Sequence, residues 1–386
     1  MRLFTSLALA LVACASPALA QGTQTKPTGE LRWNLKAGDT MRYAFTWILD
    51  EKGEVQGMGD MGGGGRTFEV GYSLDQKVKS VDDKGAVIEA TIASVRGRLG
   101  MGMMGEMTYD SSGTPDADSP MAWLRHLVGK SFTFTMTSRG EITNVTGGDA
   151  LRAEVVEVVK AEAKNKPKAP QGGDDDGMGG MMDPSAMMGM LATQLTVVFT
   201  DTSLKSALEV TNDVLPTAAA KEGETWTRPI VEQLPEIGTL SYTALYTHRG
   251  GTADATRITS RAEGEIKMEK AKKEEQAADP NADPMAEMMK KMQESMNERL
   301  ETKRKAATGT HSFSATKGRL LDSEVVQEIV MEGPLPPEAA MMMGEQAKDM
   351  KYTRTLQLTL RYLAEEAPAG GAKPADKPKD DKGRSY

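Results

Sequence analysis

Methionine is the residue type whose number and spacing in this chain could do chemistry. The chain has 27 methionines, most of them clustered: Met58 and Met61; Met101, Met103, Met104 and Met107; Met178 to Met190; Met285 to Met296; and Met341 to Met343. A thioether is a soft ligand that suits Cu(I). Met101, Met103, Met104 and Met107 are therefore the candidate metal ligands, because they share one short segment between two strand-like runs. Single thioethers bind weakly, so about three sulfurs would have to converge. No cysteine or histidine lies near them, which counts against a metal site. Two other readings use the same residues. Flexible, polarizable methionine can form an adaptable mouth for an apolar ligand or partner. The clusters are also glycine-diluted and fall in connections, which favours insertions with no specific role.

The remaining candidates for chemistry are sparse. His126, His248 and His311 are far apart in sequence, with no His-x-x-x-His pair and no serine in a Gly-x-Ser-x-Gly turn. They read as structural or surface residues. Asp279, Asn281 and Asp283 have the spacing that starts a calcium loop. The loop's glycine position holds Pro284 and its bidentate carboxylate position holds Lys290, so the match fails. Asp174 to Asp176 is a solvated charge run. Gly62 to Gly65 lacks the Gly-Lys-Ser/Thr ending of a phosphate loop. The sequence thus assigns no catalytic residue and no cofactor, and the expectation is a protein that is not an enzyme.

Residues 1–20 read as a secretory signal: Arg2, an apolar run from Leu3 to Ala13, and Ala18-Leu19-Ala20 before Gln21. Leu11-Val12-Ala13-Cys14 also resembles a lipobox, whose cysteine would anchor the protein to a membrane. Pro17 and the small-x-small site favour ordinary cleavage. Cys14 is the only cysteine, so cleavage after Ala20 leaves a chain without disulfides or thiolate ligands. The expected location is the periplasm or the extracellular space. No later segment is apolar over the length of about 20 residues that spans a bilayer. The net charge of −8 and the sequence pI near 5.3 argue against nucleic acid and anionic membrane as partners.

The elements that would position any site are strands. Leu31, Trp33 and Leu35, then Met41, Tyr43, Phe45, Trp47 and Leu49, alternate with polar or small residues. That period of two predicts a half-buried strand over 31–50. The same pattern predicts strands at 66–81, 86–99 and 131–138, with a tight turn at Asp82-Asp83-Lys84-Gly85 and another at Arg139-Gly140. Met121 to Gly129 has helical spacing, and Asp149 is placed to cap a helix to about Ala163. Later strands are expected near 224–233, 239–248, 252–269, 309–316, 319–332 and 351–363, with a turn at His248 to Gly251. Residues 284–305 place Met285, Met288, Met289, Met292, Met296 and Leu300 on one helical face, with Asp283 as N-cap.

Lys36-Ala37-Gly38-Asp39-Thr40 returns as Lys221-Glu222-Gly223-Glu224-Thr225, and the hairpin around Gly140 returns around Gly318. Two landmarks in the same order argue for duplication. The expected fold is α+β: long-stranded antiparallel sheets in two tandem repeats, 21–163 and 191–364, with short helices packed on one face. Residues 164–190 form a Gly/Met/Asp linker and 365–386 a tail, both too polar to order themselves. In such meanders the methionine-rich connections should gather at one end of each sheet.

Leu31 to Tyr43, with its Trp-x-x-Lys-x-Gly-Asp-x-x-Arg-Tyr motif, resembles the start of an uncharacterised family of bacterial exported proteins. Val81 to Arg98, Tyr109-Asp110-Ser111, Leu127 to Phe132 and Met136 to Val145 also resemble that family's pattern. The resemblance covers nearly the whole chain after residue 20, best in the first repeat. It implies export and a β-rich fold and transfers no site residue. The functional expectation is an exported protein that binds a partner or belongs to the envelope. Carriage of an apolar ligand or lipid, and Cu(I) binding through methionine, are the alternatives. Mass spectrometry of the exported protein should place the mature N-terminus at Gln21; a lipidated Cys14 would make it an anchored lipoprotein instead.

Overall fold

The computed structural model describes residues 30–56, 65–100, 105–113, 121–165, 196–234, 238–270, 299–335 and 349–364, with Ser119 and Ser295 singly. Twelve strands lie within them: β1 (Thr40–Val55), β2 (Gly65–Asp82), β3 (Gly85–Gly100), β4 (Glu106–Asp110), β5 (Ser131–Met136), β6 (Ile142–Thr146), β7 (Thr225–Leu234), β8 (Gly238–Thr252), β9 (Ala255–Lys270), β10 (Glu301–Ser314), β11 (Arg319–Pro334) and β12 (Asp349–Ala364). Helix α1 spans Gly148–Asn165 and helix α2 spans Asp201–Asn212, each preceded by a short 3-10 helix at Ala122–Leu127 and Thr196–Phe199.

The period-two pattern is realised in the burial of β1. Met41, Tyr43, Phe45, Trp47 and Leu49 are buried while the residues between them are half-buried on the other face. The expectation of separate sheets in two repeats is corrected: all the strands join one antiparallel sheet. Its order is β6-β5-β3-β2-β1-β12-β11-β10-β9-β8-β7, with β4 pairing β3 off this path. The join between the two halves of the chain is the pair β1–β12, in register from Val55↔Met350 through Phe45↔Leu360.

The two ends of that order, β6 and β7, both pack against α2, which also touches β11 and β12. A side-chain bond from Gln327 on β11 to Glu232 on β7 crosses the interior. The sheet therefore curls into a trough, apolar within, with α2 seated between its two edges. Twist drives such curling, and a sheet of this many strands rarely stays open and flat. Trp33, Phe45, Tyr72, Phe199, Leu204 and Leu208 belong to one continuous core that spans sheet and helix.

Several boundaries differ from the expectation. The first strand starts at Thr40, not at residue 31, because Lys36 to Asp39 form a turn with Gly38 at φ 92°. Leu31 and Trp33 are buried nonetheless. Residues 122–127 form a 3-10 helix where an amphipathic helix was expected. Asp149 lies in the first turn of α1, but its carboxylate accepts from Asp201 N at 3.3 Å and so links the two helices. β8 runs through His248 to Gly251 with a bulge, and the turn falls at Thr252 to Ala255. β10 begins at Glu301, so the expected helix does not reach 305; Ser295 and Arg299 are helical, and the other residues of 284–298 lie outside those described. Signal segment, linker from 166 and tail also lie outside them.

The two lead-in loops use the same bonds. Gly38 N donates to Val78 O at 2.9 Å and Val78 N to Asp39 O at 2.9 Å. Gly223 N donates to His248 O at 2.8 Å and His248 N to Glu224 O at 3.0 Å. The acidic side chains match too: Lys36 N donates to Asp39 Oδ2 at 2.9 Å, and Lys221 N to Glu224 Oε2 at 2.8 Å.

Gly140 is the tightest turn position. It sits at φ 93°, and a Cβ there would overlap the Asn212 carbonyl at the end of α2. Gly140→Ala should lower the unfolding free energy by about 3 kcal/mol or more. Gly38→Ala, also at positive φ but with nothing within 4 Å, should cost only about 1 kcal/mol. Denaturant unfolding of the two variants checks the difference.

Candidate functional site

The candidate ligands are not brought together by anything the described residues contain. Met101, Met103 and Met104 lie outside them. Met107 stands on β4, partly buried and packed against the core. Among the described residues no group of His, Cys, Asp or Glu could hold a metal ion. The expected gathering of the methionine-rich connections has a topological counterpart. The strand ends that flank residues 57–64, 101–104, 271–298 and 336–348 all lie at one end of the trough. Register shows this in the pairs Lys52↔Gly65, Val55↔Met350, Thr67↔Gly100, Glu301↔Glu332 and Pro334↔Asp349.

That end carries a solvent-open cleft of about 840 Å³. Its walls are charged in both senses: Glu54, Glu301 and Asp349 against Arg299, Lys303 and Lys351. Just inside it, Glu51 on β1 is buried between Arg66 and Arg354. Burial alone would raise the Glu51 carboxyl, but the Arg354 and Arg66 guanidiniums hold it below its usual range. Tyr352 beside it is pushed upward by burial and by the Glu51 charge.

Deeper in, the described side chains pack the trough closely. Among the described residues, its recesses include two small ones, about 20 Å³ beside α2 and about 10 Å³ beside β9 and β10. Each has room for one water at most. The first is walled by Phe45, Trp47, Tyr72 and Leu358, and by the carboxyl of Glu232. Burial raises that carboxyl to about 7, against the Gln327 amide that donates to it. Neither Glu232 nor Gln327 stood out in the sequence. The alternation Trp226, Arg228, Ile230, Glu232 places the acid on the inward face of a strand, which was a readable signal.

Helix α2 was also missed, although its signal is present. Thr200 caps it, accepting from Ser203 N at 3.1 Å, and Leu204, Leu208 and Thr211 follow at helical spacing. Ser206 on this helix stands in for a neighbouring strand: its hydroxyl accepts from Gln233 N at 3.1 Å and faces Val231 O at 3.5 Å. Beyond it a second open cleft of about 480 Å³ separates α2 from β7, lined by Lys205, Glu209, Asp213 and Arg228. Burial raises Asp213 to about 6 despite Arg228 at 3.5 Å.

The histidines occupy the places expected of structural residues. His311 is buried between Ser323 Oγ at 2.8 Å and Ser260 Oγ at 3.0 Å. Burial lowers it to about 3, so it is neutral and relays a hydrogen bond across three strands. His248 is buried and accepts from Gly250 N at 3.2 Å. His126 lies 3.1 Å from Glu162, which also takes Arg125, and so links the first 3-10 helix to α1.

The outward face of the sheet is polar. It carries Arg42 with Asp75, Arg96 and Arg98 with Glu69, Gln357 with Glu324, and Arg361 with Asp322. A membrane-spanning barrel presents an apolar band outward; here the apolar face is inward. No helix among the described residues is long and apolar enough to cross a membrane.

Residues 83–172 match the model of a family of unknown function (DUF6263). That agrees with the resemblance to an uncharacterised family. No curated protein matches. Among solved structures, one concerned with lipid–protein interactions in lipovitellin is similar at 10% identity and TM-score 0.39, over 88% of this chain and 26% of that one. The chain thus spans about a quarter of the lipovitellin chain. An outer-membrane channel from Pseudomonas putida F1 is similar at 7% identity and TM-score 0.15, over 87% of this chain and 98% of that one. Scores this low carry no argument about fold or ligand.

The Glu51 cluster yields a stability prediction. Glu51→Gln removes the buried anion shared by Arg66 and Arg354 and should destabilise by about 3 kcal/mol. Glu30→Gln, which removes an exposed partner of Arg32 and Arg139, should leave stability nearly unchanged, because water already solvates that carboxylate. Urea unfolding of both variants checks the contrast.

Proposed function

We propose that this is an exported protein of the periplasm or extracellular space that acts by binding, or as an envelope component, and not as an enzyme. The observation that carries the reading is the filled trough. The sheet's apolar face is occupied by the protein's own side chains, with recesses of about 20 and 10 Å³. Among the described residues, two recesses with room for another molecule, about 840 and 480 Å³, are open and charge-lined. Surfaces of that kind suit polar contacts with a partner better than storage of a ligand. Duplication of one β-rich unit fits the same picture. The matching bonds of the lead-in loops at Gly38 and Gly223 support it, with β12 as an added strand that joins the second unit to the first.

A second reading, carriage of an apolar ligand, is favoured by one feature: a single helix, α2, separates the trough's two edges. Native mass spectrometry of the exported protein distinguishes the two. Release of an unmodified chain mass with no adduct is the expected result; a co-purifying lipid mass would favour the carrier. The Cu(I) reading has its own test. Titration against a competing chelator should show no binding tighter than that of an unrelated methionine-containing protein. Submicromolar binding, on the order of −8 kcal/mol or stronger, that disappears in a variant with Met101, Met103, Met104 and Met107 all changed to leucine would establish the metal site instead.

A further inference from the structure

The contacts that hold α2 to β7 bracket one acid. Ser206 Oγ meets Gln233 N and Val231 O, and Glu232, between those two residues, turns inward and is 3% exposed. Its carboxyl accepts from Gln327 Nε2, which also donates to Tyr242 Oη at 3.3 Å. The other end of the Gln327 amide, Oε1, is buried and has no hydrogen-bond partner among the described residues. A carboxylate has only lone pairs and cannot satisfy that oxygen. A carboxylic acid has an O–H to give it, closing a two-bond pair with the carboxamide.

Among the described residues the surroundings offer no cation. The wall around Glu232 presents Tyr242 from β8 and Tyr72 from β2, apolar side chains from β1 and β12, and the hydroxyls of Ser203 and Ser206 from α2. The charges beyond this wall face one another. Glu51 pairs with Arg66 and Arg354 toward the open end of β1 and β12. Asp213 lies beside Arg228, four residues back on β7, and Lys205 pairs with Glu209 on α2.

We propose that Glu232 is a proton latch on α2. As a carboxylic acid it pairs with Gln327 and the helix seats along β7; when its proton passes to water, the seam opens and uncovers the apolar trough. An ionised Glu232 would be a charge in an apolar wall with a single neutral donor, and water reaches it most directly along the seam that Ser206 closes. The direction follows from the shifts. Burial raises Glu232 from 4.5 to about 7, and it raises Asp213, at the end of the same helix, from 3.8 to about 6. A raised carboxyl favours the closed state fully below its ordinary range, and that contribution is lost as pH climbs through about 7. The wall uncovered, with Phe45, Trp47, Val70, Leu356 and Leu358, takes uncharged apolar molecules.

The test uses the full exported chain and N-phenyl-1-naphthylamine, a neutral dye that brightens in apolar surroundings. Its fluorescence should rise about threefold or more between pH 5 and pH 8.5, centred near pH 7. Glu232→Gln keeps the amide pairing and removes the proton, and should stay dark across the range. An equal rise in that variant, or no rise in the natural protein, overturns the latch. If the variant does not fold at pH 5, hydrogen exchange on the natural protein decides. Amides of α2 and of 231–233 should exchange about tenfold faster at pH 8 than at pH 6, after correction for intrinsic rates, while the β8–β9 pairing stays protected. Unchanged protection of α2 overturns it.

Discussion

The structure depends on one constraint: a single antiparallel sheet with one apolar face must hide that face, and its two edge strands do not pair with each other. Curling brings the inward residues of β1, β2, β12 and β11 together but leaves β6 and β7 apart. Helix α2 resolves both difficulties. Leu204 and Leu208 cover the inner face, and Ser206 gives the β7 edge a hydroxyl where a strand would give backbone. Pro229 has no N–H to leave unpaired on that edge. Around the helix, Arg228 donates to Leu215 O at 2.8 Å and Arg139 donates to Pro216 O, so the segment after α2 is tied to both edges.

Polar groups inside this core sit where strands from distant parts of the chain must find register. His311 joins β9, β10 and β11 through two serine hydroxyls, and Tyr43 Oη donates to Leu320 O at 3.1 Å across the junction of the two halves. A one-residue slip of either strand would turn these groups outward and bury their polar neighbours unpaired. Hydrogen bonding thus fixes the alignment of a sheet that apolar burial alone would leave free to shift. Gln327 differs from these groups, because one end of its amide is satisfied and the other is not.

Strand periodicity was legible because β1, β2, β3 and β5 each bury every second residue, and the turns at Gly85 and Gly140 have the positive φ their residue types announce. The single sheet was not legible. Nothing in the local pattern of Phe45 or Leu360 says that β1 pairs β12, since those two partners are 315 positions apart (360 minus 45). β10 lost its first residues to a helical reading because the methionine face before it runs on to Leu300 without a stop signal. Helix α2 was missed behind a polar linker, although Thr200 and the spacing of Leu204 and Leu208 carry its signal. Of the candidate site, the sequence named methionines and passed over Glu232, because a lone acid acquires meaning only from what surrounds it.

The two faces of the sheet divide the ways this protein can meet another molecule. Outside, paired charges such as Arg42–Asp75 and Arg361–Asp322 are already satisfied and add little to any contact in water. Inside, the apolar wall is covered and makes no contact while α2 is seated. What remains is the open end, where strand ends flanking four methionine-rich segments lie and flanks of three of them line a cleft of alternating charge. On the proposed binding reading, a partner engaging the described part of this end would meet charged walls before the buried Glu51–Arg354 pair, so polar complementarity would select it. The same antiparallel connectivity that pairs the strands puts the tight turns, at Gly85, Gly140 and Gly318, at the opposite end. Long connections can grow at the open end without disturbing the register that the closed end fixes.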